Sequence, residues 1–102
     1  MRPIHRLIYL TSPRPSHPQY GSIDGAYATC WVREPVLAAA DARARQFLER
    51  EGWDVEEPDE YLLVTETSCP PGTQGREFFE QAQTDDLVLV LHTWPVGTPD
   101  DE

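Results

Sequence analysis

Five consecutive aliphatic residues near the end of the chain, Leu87 to Leu91, constrain the fold more than any other stretch. They open the segment LVLVLHTWP, in which His92 and Trp94 follow before Pro95. A short run that is apolar at both alternating positions is typical of a strand whose two faces are both covered. We therefore predict that this segment is an interior strand of a sheet. His92, at its end, is the first candidate for a chemical role.

Length and charge define the class of protein. The chain has 102 residues, the length of one domain, and a net charge of −10 from 18 acidic and 8 basic residues. All the basic residues are arginine, which we interpret as the codon bias of a GC-rich bacterial genome. A surface this acidic opposes binding to nucleic acids and to anionic membranes. No apolar run approaches the ~20 residues of a membrane helix, so we expect a cytoplasmic protein.

Prolines and glycines divide the chain into elements. Three prolines within residues 12–24 predict a proline-rich loop, whereas Pro35 and Gly52 fit the start and the positive-φ end of a helix. Residues 53–65 predict either a hairpin that turns at Pro58 or one long bent strand, and the proline favours the turn. The other predicted elements are strands at 4–11, 25–33 and 87–94 and helices at 34–51 and 76–83.

The order of these elements predicts the fold class. A strand followed by a β-α-β-β-α-β unit is typical of a ferredoxin-like α+β sandwich. We predict a mostly antiparallel sheet of four to five strands with two helices on one face. Residues 1–95 would form this single domain, and residues 96–102 an acidic disordered tail.

Three segments of the chain resemble a known group of proteins. GAYATCWV, then EGWDV at the end of the first predicted helix, then LVLVLHTWP are similar to segments of small bacterial proteins of unknown function. The resemblance covers residues 25–95 and implies the same ferredoxin-like α+β fold. Its motifs are hydrophobic and structural, so it implies no catalytic or binding residues.

The parity of positions along each strand predicts which residues share a face of the sheet. The small residues Ala26, Ala28 and Cys30 of the second strand suit the face that helices approach closely. The same argument assigns to this helix-covered face Ile8, Leu10, Leu62, Val64, Leu87, Leu89 and Leu91. The opposite face then receives the six residues that we call the aromatic set: Tyr9, Tyr27, Trp31, Tyr61, His92 and Trp94.

The aromatic set is the predicted binding or interface site. A large apolar surface that the helices leave uncovered usually marks an interface or a ligand site. Aromatic side chains suit such a surface because they add contact area at a low entropic cost. We expect this face to pair with its copy in a homodimer or to be partly covered by the proline-rich loop.

No pattern in the sequence predicts catalytic residues, a metal site or a cofactor. His92 could bind a small anion or act as a general base, but the sequence identifies no partner to orient its ring. His5 and His17 are too scattered for a metal motif. Cys30 and Cys69 are expected to be free thiols. An ordinary loop thiol is the favoured interpretation of Cys69, and a reactive thiol beside a helix N-terminus is the alternative.

Acidic residues cluster around the region 53–65. We interpret them as protection of a strand edge against pairing with other chains. The alternative is that paired carboxylates serve hydrolysis or bind a divalent cation. The cluster consists of Glu56, Glu57, Asp59, Glu60 and Glu66.

These observations leave three functions open. The first is a binding domain that forms a homodimer through the aromatic set. The second is an immunity or antitoxin type of protein whose acidic surface covers the basic active site of a partner protein. The third is a dimeric α+β barrel enzyme in which His92 faces a small hydrophobic substrate.

Overall fold

The computed structural model describes residues 2–96, so the predicted acidic tail lies outside the described residues except for Val96. The described residues form an α+β structure with four strands and two α-helices, which confirms the predicted class. In chain order the elements are β1 (Ile4–Pro13), β2 (Ile23–Val32), α1 (Leu37–Arg50), β3 (Trp53–Val64), a 3₁₀ helix (Glu66–Ser68), α2 (Gln74–Asp85) and β4 (Leu87–Pro95).

The four strands form one antiparallel sheet in the order β3-β1-β2-β4. β4 is therefore an edge strand, and the prediction of an interior strand at this position is wrong. The physical reason is that an apolar run indicates that both faces of a strand are covered by other residues. It does not indicate whether both edges of the strand are hydrogen-bonded to other strands. Val88 is buried on one face, whereas Leu87 and Leu89 pack against the core on the other.

The two helices pack against opposite faces of the sheet. Ala44 of α1 belongs to the same core cluster as Ala28 and Cys30 of β2. Phe79 of α2 belongs to a second cluster with Trp31, the next residue of β2 after Cys30. Because consecutive strand residues point to opposite faces, the helices lie on different sides. We call these sides the α1 face and the α2 face. The predicted ferredoxin-like arrangement, with both helices on one face, is therefore wrong.

Small residues allow α1 to lie close to the sheet. Ala26, Ala28 and Cys30 of β2 are fully buried against Ala40 and Ala44 of the helix. This confirms the predicted role of the small side chains of the second strand. The α2 face carries larger groups, so its core is built from side chains such as Trp31 and Phe79.

The predicted orientation of β1 is inverted. Leu7 lies opposite Cys30 and Tyr9 lies opposite Ala28 in the β1–β2 register, so both residues lie on the α1 face. Ile8 and Leu10 consequently lie on the α2 face. Both parities of β1 are apolar, and the sequence pattern alone could not decide between them. The predicted orientation of β3 is inverted for the same reason. Tyr61 and Leu63 pair with Leu7 and His5, so both residues lie on the α1 face.

The region 53–65 forms one long strand, the second of the two alternatives. Pro58 does not form a turn; it lies opposite Tyr9 within β3. The register shifts on both sides of this pair, between Ile8 and Tyr9 and again between Tyr9 and Thr11. Proline is accepted at such an irregularity of an edge strand because its missing N–H breaks no ladder hydrogen bond. The hairpin turn that the proline favoured is therefore wrong, and the proline lies at an irregularity of one continuous strand.

The proline-rich loop packs at the start of β3. It is shorter than predicted, because β1 extends to Pro13 and β2 begins at Ile23. The His17 ring lies 4.5 Å from the Trp53 ring, measured between centroids. Gly52 ends α1 with a φ of 96°, as predicted for this glycine. The loop therefore completes the core near Trp53.

Candidate functional site

The structure separates the six residues of the aromatic set. Tyr9 is fully buried on the α1 face, where its hydroxyl donates a 2.6 Å hydrogen bond to Asp41. Trp31 is buried beneath α2, with 5% of its surface exposed. The remaining members are exposed or half-buried: Tyr27, Tyr61, His92 and Trp94.

Three members of the aromatic set do come together. Tyr27 lies opposite His92 in the β2–β4 register, and Trp94 is the next residue of β4 on the same face. The Tyr27 and Trp94 rings are 5.5 Å apart between centroids, a distance typical of an aromatic pair. These three residues occupy the end of the α2 face that lies away from the α2 core.

Trp94 depends on a glycine in the neighbouring strand. Gly25 is paired with Trp94, and a Cβ atom at position 25 would lie 2.6 Å from the Trp94 ring. Real Cβ atoms do not approach so closely, so the missing side chain makes the room for the indole. The ring therefore packs directly against the backbone of Gly25.

His92 has no orienting partner among residues 2–96. Its side chain is exposed, no hydrogen bond or ion pair holds its ring there, and it lines none of the three main cavities. The other histidines are engaged elsewhere. His5 Nδ1 lies 2.8 Å from the Glu34 carbonyl oxygen, and His17 stacks on Trp53. The geometry that general-base catalysis by His92 requires is therefore not assembled in the described part of the chain.

The second half of β3 exposes three consecutive large apolar side chains. Tyr61, Leu62 and Leu63 are 58%, 47% and 50% exposed. Tyr61 and Leu63 extend from the α1 face and Leu62 from the α2 face, so the strand is apolar on both sides. β1 pairs with one edge of β3, and no strand within residues 2–96 pairs with its other edge. We call these three residues the apolar edge.

The first half of β3 is acidic, as the sequence indicated. Three of its carboxylates form ion pairs: Asp54 with Arg14 at 2.9 Å, Glu57 with Arg45 at 3.5 Å and Glu60 with Arg6 at 2.8 Å. Charge at a strand edge opposes pairing with another chain. The acidic cluster therefore protects only half of the free edge, and the protection ends where the apolar edge begins.

A cavity of about 300 Å³ lies between the α2 face of the sheet, near its β3 edge, and the start of α2. This volume is at the lower end of the range for ligand pockets, roughly 300–1,000 Å³. Apolar side chains and the turn before α2 form most of its wall. The residues that line it include Arg6, Trp31, Leu62, Val64, Cys69 and Thr73.

Two residues of this cavity wall contain buried donors without an acceptor. Arg6 Nε and Trp31 Nε1 are both inaccessible to solvent, and neither has a hydrogen-bond partner within residues 2–96. The two side chains are neighbours, since the Arg6 guanidinium carbon lies 5.8 Å from the centre of the Trp31 ring. Buried donors are nearly always paired in native proteins. This pair is therefore the most unusual polar feature of the described chain.

Arg76 fixes the turn that closes this cavity. Its Nη1 donates to the carbonyl oxygens of Glu66 and Cys69 at 3.2 and 3.1 Å. Its Nε donates to Glu80 at 2.8 Å, and this hydrogen bond is the main reason that the pKa of Arg76 is raised. Thr73 caps α2 by accepting from the Arg76 N–H. The loop and the helix N-terminus are thus held together as one wall.

The cysteines lie on different sides of the sheet. Cys30 is buried on the α1 face, and burial raises the pKa of its thiol to about 12. Cys69 is buried in the α2 core and lines the cavity. Both are free thiols. The sheet between them keeps the two sulfur atoms apart.

Arg6 is the site residue that the sequence analysis missed. The signal was an arginine within IHRLIYL, an otherwise mostly apolar strand. A long cationic side chain at that position usually extends to solvent. Its partial burial against Trp31 follows from the packing of α2, which we predicted on the other face of the sheet.

Within residues 2–96, no group of histidine, cysteine and acidic residues could hold a metal ion, and neither α-helix is long and apolar enough to cross a membrane. Comparison with known proteins found no match: no protein-family model, curated protein or solved structure is detectably similar to this chain. Function must therefore be argued from the apolar edge, the uncovered aromatic residues and the cavity.

Proposed function

We propose that the chain is a binding domain of the bacterial cytoplasm that self-associates as a homodimer through the apolar edge of β3. The observation that supports this is the exposure of Tyr61, Leu62 and Leu63 on a strand whose outer edge has no partner within residues 2–96. An unprotected apolar edge is a template for pairing with another strand. Of the predicted interface residues, Tyr61 is the one that takes part in this surface.

The distribution of charge along β3 favours a second copy of the chain in one register. In an antiparallel pair centred on Leu62, Tyr61 lies opposite the partner's Leu63, and the two Leu62 side chains meet. Paired residues of an antiparallel ladder share a face, and Tyr61 and Leu63 do share the α1 face. The acidic half of each strand then extends beyond the end of the other. A shift towards that half would place carboxylates opposite one another.

This pairing would join two four-stranded sheets into one sheet of eight strands. The interface is of the twofold type, in which the same surface of each protomer meets itself. The additional hydrogen bonds use backbone groups on the edge of β3 that no strand within residues 2–96 engages. The side chains on both faces add apolar burial at about 25 cal/mol per Å².

Light scattering over a wide concentration range tests the proposal. We expect the wild-type chain to show twice its single-chain mass and Leu63→Lys to show the single mass, because a charge at the edge opposes pairing. Leu91→Lys is the matched control, since Leu91 is also exposed and lies on the other edge strand. This control variant should remain dimeric. A wild-type chain that is monomeric at every concentration would exclude self-association.

A second candidate function uses the acidic half of β3 and follows the immunity or antitoxin hypothesis. Glu56 and Asp59 are exposed and form no ion pair within residues 2–96, so their charge is available to a basic protein partner. A poly-arginine peptide serves as the probe. Glu56→Gln with Asp59→Asn should weaken its binding more than Glu49→Gln with Glu51→Gln, which removes two charges near the end of α1. Equal weakening by the two double variants would mean that only net charge matters.

A further inference from the structure

α2 covers only one end of its face of the sheet. The α2 core contains one residue from the end of each strand: Ile4, Trp31, Val64 and Val88. The helix therefore lies across the strand ends, and α1 lies on the other face, so no α-helix within residues 2–96 covers the remaining part of the α2 face. We call this part the open half. Its residues on β1, β2 and β4 are Ile8, Leu10, Tyr27, Thr29, Val90, His92 and Trp94.

The open half is apolar and aromatic, and solvent reaches it. One row runs directly across three strands, because Leu10 lies opposite Tyr27 and Tyr27 lies opposite His92. Tyr27 is 40% exposed, His92 is exposed, and the other residues of the open half are half-buried. An apolar surface of this kind usually marks an interaction site, and its aromatic side chains add contact area at a low entropic cost.

An acidic margin borders the open half on β3. Val55 packs against the α1 core, so its neighbours Asp54 and Glu56 lie on the α2 face. Glu60 shares this face, because it lies opposite Ile8. Asp54 and Glu60 are each paired with an arginine, whereas Glu56 is exposed and forms no ion pair within residues 2–96. The margin therefore offers one uncompensated carboxylate to a cationic group.

A second copy of the chain does not fit the open half. α2 stands beside it and rises above the sheet by about one helix diameter, roughly 10–12 Å. Two copies placed face to face would therefore meet through α2 before their open halves came into contact. Every exposed residue of α2 is polar or acidic: Gln74, Glu77, Glu80, Gln81, Thr84 and Asp85. Such a pairing would press carboxylates onto an apolar surface that already has an acidic margin.

A helix of a different protein does fit. α2 itself shows what packs on this face: an amphipathic helix that crosses the strands and buries Phe79 and Ala82. Beyond the α2 core, the stretch of β1 from Ile8 to Ser12 is about 13 Å long. Packed helices lie about 8–10 Å apart, so the open half has room for one further helix beside α2.

We propose that the open half binds a basic amphipathic helix of a partner protein, which lies beside α2 and crosses the strands. Its apolar side chains pack on Leu10, Tyr27 and Trp94, and a lysine or arginine at its margin pairs with Glu56. The surface shares no residue with the apolar edge, so this binding does not depend on self-association. It differs from the attraction of a basic partner by charge alone, because it also requires the apolar surface.

A peptide of about 18 residues, built from leucine and lysine in an amphipathic helical order, serves as the probe. The three tryptophans give three indole N–H signals in a ¹H–¹⁵N spectrum, and Trp94→Phe identifies the signal of Trp94. We expect the peptide to shift that signal saturably and to leave those of Trp31 and Trp53, both buried, in place. The same peptide with glutamate for lysine should bind at least about tenfold more weakly, which corresponds to about 1.4 kcal/mol. A scrambled leucine–lysine peptide without an apolar face should lose as much.

Two neighbouring positions of β4 provide a matched pair of variants. His92 and Thr93 are both exposed, but His92 lies on the open half, whereas Thr93 lies opposite Ala26 on the α1 face. His92→Lys and Thr93→Lys add the same charge to the chain. His92→Lys should weaken binding of the basic peptide by about tenfold, because the new charge lies under the helix. Thr93→Lys should bind nearly as the wild type does.

A second pair of variants tests the acidic margin. Glu56→Gln should weaken binding by about threefold, the effect of one surface ion pair. Glu49→Gln removes the same charge near the end of α1 and should leave the affinity unchanged. Equal affinities of these two variants would exclude the pairing with Glu56.

The results that would overturn the proposal are specific to this surface. A peptide that leaves the Trp94 signal unchanged excludes the site. Equal binding of the ordered and scrambled peptides, or equal weakening by His92→Lys and Thr93→Lys, would mean that only charge attracts the peptide. The same titration on Leu63→Lys should give the wild-type affinity, and this separates a failure of the open half from a failure of self-association.

Discussion

The hydroxyl of Tyr9 donates a 2.6 Å hydrogen bond to the carboxylate of Asp41 and so ties the middle of the sheet to α1. Arg45 supports the contact from the next turn of the helix, because it pairs with Asp41 at 3.1 Å and lies over the Tyr9 ring. Tyr9 is fully buried, so its polar end requires this acceptor. Tyr9, which we predicted to lie on the exposed aromatic face, is thus part of the core.

Removal of this hydroxyl should destabilise the fold by a modest amount. Tyr9→Phe deletes a hydrogen bond to a charged acceptor, which costs about 1.5–3 kcal/mol, and the partial exposure of Asp41 favours the lower end. Urea unfolding measures the difference. Tyr20→Phe, at an exposed tyrosine, should leave the free energy of unfolding unchanged. Equal stability of Tyr9→Phe and the wild type would show that the bond contributes nothing net.

Stability should fall in alkaline solution because of Cys30. Burial raises the pKa of its thiol from 9.0 to about 12, so the folded protein keeps a proton that the unfolded chain releases. The stabilisation is complete below pH 9 and is lost as the pH rises towards 12, at up to about 1.4 kcal/mol per pH unit. Unfolding measured between about pH 8 and pH 11 should show this decline, and Cys30→Ala should make it shallower. An identical slope in both proteins would contradict the assignment to Cys30.

Asp86 should make the fold sensitive to acid. Although desolvation acts in the opposite direction, Arg43 and Arg33 together hold the pKa of Asp86 below its ordinary value. A depressed pKa in the folded state stabilises the protein above the ordinary value of 3.8, and this contribution disappears as the pH falls. Asp86→Asn should therefore unfold more easily than the wild type at neutral pH. The difference between them should close below pH 3.8, and a constant difference would point to another cause.

Two glycines with positive φ should respond differently to alanine. Gly72 has a φ of 86°, and no heavy atom lies within 4 Å of the place that a Cβ would take, so Gly72→Ala carries only the backbone cost of about 1–2 kcal/mol. Gly52 has a φ of 96°, and a Cβ there would lie 3.2 Å from the His17 ring. Gly52→Ala should therefore cost more and displace His17 from Trp53, which tryptophan fluorescence reports. A smaller cost at Gly52 than at Gly72 would contradict the contact.

Much of the local structure could be predicted from the sequence. Gly52 marks the end of α1 because few other residues accept a positive φ, and the alanines of β2 mark the face that a helix can approach. These features depend on single residues and their immediate neighbours. They were correct because local chemistry leaves few alternatives.

The arrangement of the sheet could not be predicted in the same way. β1 is apolar at both parities, so Leu7 and Ile8 were equally suited to either face until pairing with β2 fixed the choice. The helices were placed on one face because the sequence does not state which side each connection crosses. Because of these errors, Tyr9 and Trp31 were assigned to an open surface, whereas both residues lie in the core. The buried donors of Arg6 and Trp31 were beyond prediction because they depend on this packing.

The central position of β1 and β2 has a consequence for how the molecule opens. Each later part of the chain is a helix followed by a strand, and each adds to a different edge and a different face of this central pair. The two units are nevertheless coupled, because Val64 of β3 belongs to the α2 core and Leu87 and Leu89 of β4 pack against the α1 core. Detachment of either unit therefore uncovers side chains of the other, although β3 and β4 do not pair with each other within residues 2–96. Amide exchange should then show the two outer units opening together, around a central pair that exchanges only through global unfolding.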